Sequence, residues 1–317
     1  MNPWIIAGIV FAVLLLLVLA LCFVIGKNFL GNLKRTNPGE KFRSPIDISF
    51  YLNGPMKPLA DAGLKLMEGL PQEEVWITSY DGLKLHATYF PAPGEQKGVV
   101  LGIHGFQSHA KPEYAPHIAF YHSLGYSMLL PNDRAHDLSE GKYITMGVKD
   151  RFDCISWANY LVERFGQDVK ILLHGVSMGG ATVLAAGGEE SLPPQVFGIV
   201  SDCGYTSNVE QLELQMKNFK VPAAFPKLVC TWCARHVAGF DPYEAQPIEQ
   251  VKKIRVPVFF VQGAEDFLVP RDMGERLYSA CGAPKKRLLM VEGASHAESI
   301  AVEPENYRTA IQELFGI

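Results

Sequence analysis

The chain has 317 residues, 29 Lys+Arg against 33 Asp+Glu and a hydrophobic content of 48%, with a pI near 6.2 and a mean hydropathy of +0.07. The mild acidity leaves no basic footprint for nucleic acid. Beyond Cys22, the cysteines at 154, 203, 230, 233 and 281 lack the spacing of a disulfide framework, which suits a reducing compartment.

The positive hydropathy has one source. Residues 4–25 form a run of 22 in which only Gly8 falls outside the hydrophobic set and none is charged. At about 1.5 Å rise per residue this spans about 33 Å, enough for a hydrocarbon core of about 30 Å. A cleaved signal peptide needs a basic start, a shorter apolar region and small residues at a cleavage site, and Leu21 speaks against a lipoprotein site at Cys22. The run therefore reads as an uncleaved single-pass anchor over 1–26. Lys27, Lys34, Arg35, Lys41 and Arg43 follow it, so the positive-inside rule puts the remaining chain in the cytoplasm. Long domains override that rule, which leaves the extracytoplasmic side open.

Residues 27–72 read as a stalk and an amphipathic segment. Asn37-Pro38-Gly39 and Asn53-Gly54-Pro55 are turn signals. Met56, Leu59, Ala60, Met67 and Leu70 have helical spacing, expected to pack on the domain, with a helix lying on the membrane as the rival.

From residue 73 to the C-terminus the pattern is that of one large α/β domain. Two strands, 74–80 and 83–90, flank Asp81-Gly82, a hairpin signal. Further strands are expected at 99–103, 127–130, 169–174, 196–201, 256–262 and 287–292, with helical patterns between them, for example 146–165 and 270–281. Short apolar runs alternating with helices imply a mostly parallel sheet covered on both faces. Chemistry in such sheets gathers beyond the carboxyl ends of the strands. Residues 205–250 break the rhythm with Met216, Phe219, Phe225, Trp232 and Phe240 among Pro222, Pro226 and Pro242, and read as a small apolar cap.

The strand ending at His174 runs into Gly175-Val176-Ser177-Met178-Gly179-Gly180 and then into a helix. A Gly-x-Ser-x-Gly turn between strand and helix holds its serine in a strained conformation, and glycine two positions either side lets strand and helix approach. A serine hydroxyl needs a base, and the base needs an orienting acid. Asp266 lies in the loop after the strand ending near Gln262, and His296 in the loop after the strand ending near Glu292. Both fall on the same sheet edge as Ser177. Rival acids are the adjacent Glu265 and Asp202, which follows the preceding strand; a structural role suits Asp202 better. The oxyanion needs two backbone N–H donors, expected from Met178 after the nucleophile and from Phe106 in the loop after His104-Gly105. His104 reads as a structural histidine holding that loop.

His104-Gly105, Asp133-Arg134-Ala135-His136 with Ser139 and Gly141, the Ser177 elbow, Asp202-Cys203-Gly204-Tyr205, residues 263–270 and Ser295-His296 together resemble the α/β-hydrolase superfamily. The likeness is to its membrane-associated, Bem46-like serine hydrolases and covers about residues 73–317. The resemblance implies an α/β-hydrolase fold and a Ser177–His296–Asp266 triad. One departure lies in the loop opening with Asp133-Arg134, where Ala135 and Asp137 stand in place of glycines.

Other motifs carry less. Cys230-x-x-Cys233 has zinc-like or redox spacing, but no second pair follows and no thioredoxin-like unit opens there. His104, His109, His117 and His122 lack carboxylates at ligand spacing. No phosphate loop is present, so no cofactor or metal is expected. The reading is a serine hydrolase acting on an acyl bond, first of all a carboxylic ester of a small or lipid-like substrate, with a peptidase or thioesterase as alternatives. The alternative of another class is a non-catalytic, membrane-tethered binding protein on the same fold. Nothing in the sequence fixes the oligomeric state.

Overall fold

The computed structural model of the protein describes residues 2–40, 54–218, 224–244 and 246–317. Lys41, Arg43, Asn53, Phe219 and Pro222, named above, lie outside the described residues.

Helix α1 (Pro3–Leu33) starts at Asn2, whose side chain accepts the Trp4 N–H at 3.0 Å. Among the described residues it is the one helix long and apolar enough to cross a membrane. It does not end with the apolar run. Residues 26–33 stay helical, and the expected stalk is bound to the domain as far as Thr36. Ile144 N–H donates to Leu33 O at 2.7 Å, Arg35 N–H to Lys142 O at 3.1 Å and Thr36 N–H to Ala135 O at 2.9 Å. Buried Leu33 joins Val148, Ala234 and Phe240 in a small apolar cluster, which gives the extra turns a reason to stay wound. Helix α2 (Met56–Gly69) follows, with Met56, Gly63 and Met67 buried. Met67 sits in the same core cluster as Tyr114 and Ile118, so α2 packs on the domain and the membrane-surface alternative falls away.

The hairpin β1 (Glu73–Thr78) and β2 (Lys84–Phe90) turns at Asp81-Gly82, and β2 pairs antiparallel with β4. Then come β3 (Gly98–Ile103), α3 (Ala110–Ser123), β4 (Tyr126–Pro131), α4 (Asp150–Phe165), β5 (Ile171–Val176), α5 (Met178–Gly187), β6 (Val196–Asp202), the cap helices α6 (Asn208–Asn218) and α7 (Ala224–Cys233), and α8 (Pro247–Gln250). The chain closes with β7 (Val258–Gly263), α9 (Arg271–Ala280), β8 (Lys286–Val291), α10 (Ser299–Val302) and α11 (Pro304–Phe315). Strand order is β1-β2-β4-β3-β5-β6-β7-β8, parallel from β4 to β8.

Alternation along each buried strand makes the two cores. Val99, Leu101, Ile171, Leu173, Val258 and Phe260 face one layer with Trp157 and Leu277. Val100, Leu172, Phe259 and Val261 face the other with Ile118 and Tyr307. Each such side chain fully withdrawn from water contributes about 1.5–3 kcal/mol before entropy is counted. The expected helix 146–165 begins at Asp150 instead. The Asp150 carboxylate accepts Gly147 N–H at 2.9 Å and the Thr145 hydroxyl at 2.6 Å, and this holds residues 145–149 as a turn with Met146 at φ 54°.

Candidate active site

Five strand ends converge on one edge of the sheet, those of β3, β5, β6, β7 and β8. Ser177 ends β5 and opens α5 with φ 56° and ψ −115°, a conformation that costs a non-glycine residue of order 1–3 kcal/mol. The turn around it is very tight. A Cβ on Gly175 would lie 2.1 Å from Gly179 O, and one on Gly179 would lie 1.8 Å from Ile103 O. Ser177 N–H donates to Asp202 O at 2.8 Å, which pins the elbow to the end of β6.

The loops after β7 and β8 are laced together: Ala264 N–H donates to Val291 O at 2.9 Å and Glu265 N–H to Ala294 O at 3.0 Å. This brings Asp266 and His296 into one line with the serine. Nε2 of His296 is 2.8 Å from Ser177 Oγ, and its Nδ1 is 2.7 Å from Asp266 Oδ2. Asp266 is held in turn: Oδ1 accepts the N–H groups of Leu268 at 2.9 Å and Val269 at 2.8 Å, and Oδ2 accepts Gln262 Nε2 at 3.1 Å. Burial works against an imidazolium at His296, but the adjoining Asp266 carboxylate and Cys203 sulfur together outweigh it and raise the pKa well above 6.5. The rival acids are placed elsewhere. Glu265 is exposed, and buried Asp202 accepts the Tyr307 hydroxyl at 3.0 Å, its pKa pushed up to about 7 by burial.

No protein-family model matches the chain. It is 26% identical over 227 residues to the uncharacterized protein YqkD of Bacillus subtilis, covering 71% of this chain and 73% of that one. It is 23% identical over 184 residues to protein bem46 of Schizosaccharomyces pombe, covering 57% of this chain and 55% of that one. Among solved structures, the esterase Pf2001 of Pyrococcus furiosus matches with TM-score 0.65 at 23% identity over 90% of this chain and 98% of its own. The acylaminoacyl peptidase of Pyrococcus horikoshii matches with TM-score 0.59 at 16% identity, over 79% of this chain and 43% of its own. The chain shares the α/β-hydrolase fold of these solved structures.

The loop after β3 is fixed by buried side chains. His104 Nε2 accepts Asp133 N–H at 3.0 Å, so its proton sits on Nδ1, which donates to Gly105 O at 2.8 Å. His136 repeats the arrangement, accepting Gln107 N–H at 3.1 Å and donating to Arg134 O at 3.0 Å. Burial lowers the two pKa values to about 3 and about 4, keeping both rings neutral. His104 is thus structural. Glu113, on α3, accepts Gly105 N–H at 2.8 Å, and burial pushes its pKa up to about 7. Sequence reasoning passed over Glu113, since a charged residue in a helix looks like a solvated one.

Phe106 packs against the cluster of Met178, Tyr205, Val269 and Met273, joined by Leu214 from the cap helix α6. These apolar groups border the Ser177 side of the edge. Ala135 and Asp137 adopt left-handed conformations, at φ 61° and 45°. The turn carries a cost of order 1–2 kcal/mol per residue.

Among the described residues, one group has metal-ligand proximity: Cys203, Asp266 and His296, whose ligand atoms lie within 4.8 Å of one another. Its chemistry suits protons better than a cation. Both ring nitrogens of His296 already face partners, and burial pushes the Cys203 thiol up to about 12. Cys230 and Cys233 are free and buried side chains of α7.

Proposed function

We propose that the protein is a membrane-anchored serine hydrolase that cleaves a carboxylic ester of a small or lipid-like acyl compound. The observation that carries this reading is the unbroken line from Ser177 Oγ through His296 to Asp266, at 2.8 and 2.7 Å. In that line His296 Nε2 takes the hydroxyl proton as Ser177 Oγ attacks the acyl carbon, and Asp266 steadies the imidazolium that forms. The oxyanion is received by the N–H of Met178 and by that of Phe106 in the loop after β3. As the first residue of α5, Met178 has no carbonyl within the helix to bond, and its N–H points to the positive end of the helix dipole. His296 then returns the proton to the leaving alcohol, and activates the water that frees the acyl group from Ser177. No group beyond the protein is needed.

The apolar border of Phe106, Leu214 and Met273 favours an acyl chain over a charged group, and an esterase stands among the structural neighbours. Helix α1 is the anchor in this reading. Lys27, Lys34 and Arg35 at its exit favour a cytoplasmic domain.

The test is turnover of 4-nitrophenyl acetate, butyrate and decanoate, set beside a thioester and an aminoacyl amide of equal chain length. Esters should turn over fastest, and Ser177→Ala should lose about 10⁴-fold or more in kcat. Preference for the amide or thioester would reassign the substrate class, and full activity in Ser177→Ala would overturn the reading.

A further inference from the structure

Helix α7 presents two unlike faces. Pro226, Cys230 and Cys233 are buried, whereas Phe225, Leu228 and Trp232, spaced three and four apart, are 39%, 68% and 58% exposed. Residues at that spacing share one helix face, and a contiguous apolar face left in water marks a contact surface. The cations of this segment are held in ion pairs, Lys227 with Glu213 and Arg235 with Asp241.

The neighbour of α7 says what the surface meets. Gly26 of α1 is buried so close to α7 that a Cβ there would come within 2.9 Å of Cys233 Sγ and 3.9 Å of Val229 Cγ1. Cys22, Gly26, Phe29 and Leu33 fall on one face of α1, at intervals of three and four residues. Gly26 is the first residue after the apolar run, and the first cation, Lys27, comes next. Helix α7 is therefore level with the last turn of the apolar run, where the hydrocarbon of a bilayer gives way to head groups. On the same level of α1, Phe23 is 70% exposed, so both helices present apolar side chains at this depth.

We propose that α7 is an interfacial helix: its Phe225–Leu228–Trp232 face inserts into the leaflet from which α1 emerges. The cap then stands in the lipid surface, a depth favoured by tryptophan, and acyl substrates reach Ser177 from the leaflet. The proposal rests on α1 being a membrane anchor.

It is tested with the full chain in phosphatidylcholine vesicles carrying a lipid spin-labelled just below the head group. Trp4→Phe removes the tryptophan at the far end of α1. In that background the shallow label should quench tryptophan emission, and adding Trp232→Phe should reduce the quenching roughly threefold or more, because Trp157 is buried in the domain and Trp76 lies on the hairpin strand β1. Equal quenching in the two variants would overturn the proposal. Flotation of the same samples separates the two claims. Protein that floats but shows equal quenching refutes the interfacial helix alone, and protein that fails to float refutes the anchor and the proposal with it.

Discussion

The two flanks of Ser177 are built on opposite terms. On the side of Asp266 and His296, paired loops exchange backbone hydrogen bonds, and Asp266 is gripped by Leu268, Val269 and Gln262. On the cap side, α6 is held by side chains, Gln211 Nε2 donating to Leu268 O at 2.8 Å and Glu210 pairing with Arg276 of α9, while α7 turns apolar side chains outward. In the proposed reaction the first flank would hold the reacting atoms at fixed distances, and the second would meet whatever brings the acyl group. Substitutions should therefore cost most on the first flank and least on the second.

The largest effect sharpens the first flank. Asp266→Asn should lower kcat about 10⁴-fold, as loss of the orienting acid does in serine hydrolases. It also has a pH signature. Turnover needs unprotonated Nε2, so it falls as pH drops through the raised pKa of His296; without the carboxylate that helps raise it, this acid limb should move to lower pH. A pH–rate profile with an unmoved limb would break the assignment, as would an Asp202→Asn variant that loses turnover while Asp266→Asn keeps it.

Next comes the elbow. Gly179→Ala places a Cβ at 1.8 Å from Ile103 O, and the backbone shift this forces should cost about 3 kcal/mol or more in urea unfolding. Smaller is Tyr307→Phe, which takes a hydroxyl from between Asp202 Oδ2 at 3.0 Å and His174 Nε2 at 3.2 Å. It should destabilise by about 1–3 kcal/mol while leaving the acid limb of the pH profile in place, since Tyr307 contacts neither His296 nor Asp266. Smallest is Leu228→Ser on the exposed face of α7, expected within about 0.5 kcal/mol of the wild type in detergent. A loss of several kcal/mol there would mean that α7 is part of the core, and the contrast between the flanks would fail.

Most of the framework was legible because strand burial writes itself into composition. Runs such as Val99-Val100-Leu101 and Val258-Phe259-Phe260-Val261 are too short for helices and suit strands buried on both faces. Ser177, Asp266 and His296 could be placed because each follows such a run. Asp266 and Asp202 both follow strands, and only the loop path brings one carboxylate, that of Asp266, beside Nδ1. The docking of residues 26–36 was less visible. Gly26, Lys27 and Asn28 look like the end of a helix, and only the spacing of Phe29 and Leu33 hints that it continues. Glu113 and the polar contacts of Asp202, Tyr307 and His174 left no sequence signal, because burial of a polar group depends on partners far along the chain.

The central claim is that Ser177 is the nucleophile. Incubation of the full chain with a fluorophosphonate, followed by mass spectrometry of the peptides, tests it most directly. The account predicts a single phosphonyl adduct on Ser177, absent from Ser177→Ala and slowed strongly in His296→Ala. An unlabelled wild type, or an adduct that persists in Ser177→Ala, would contradict it.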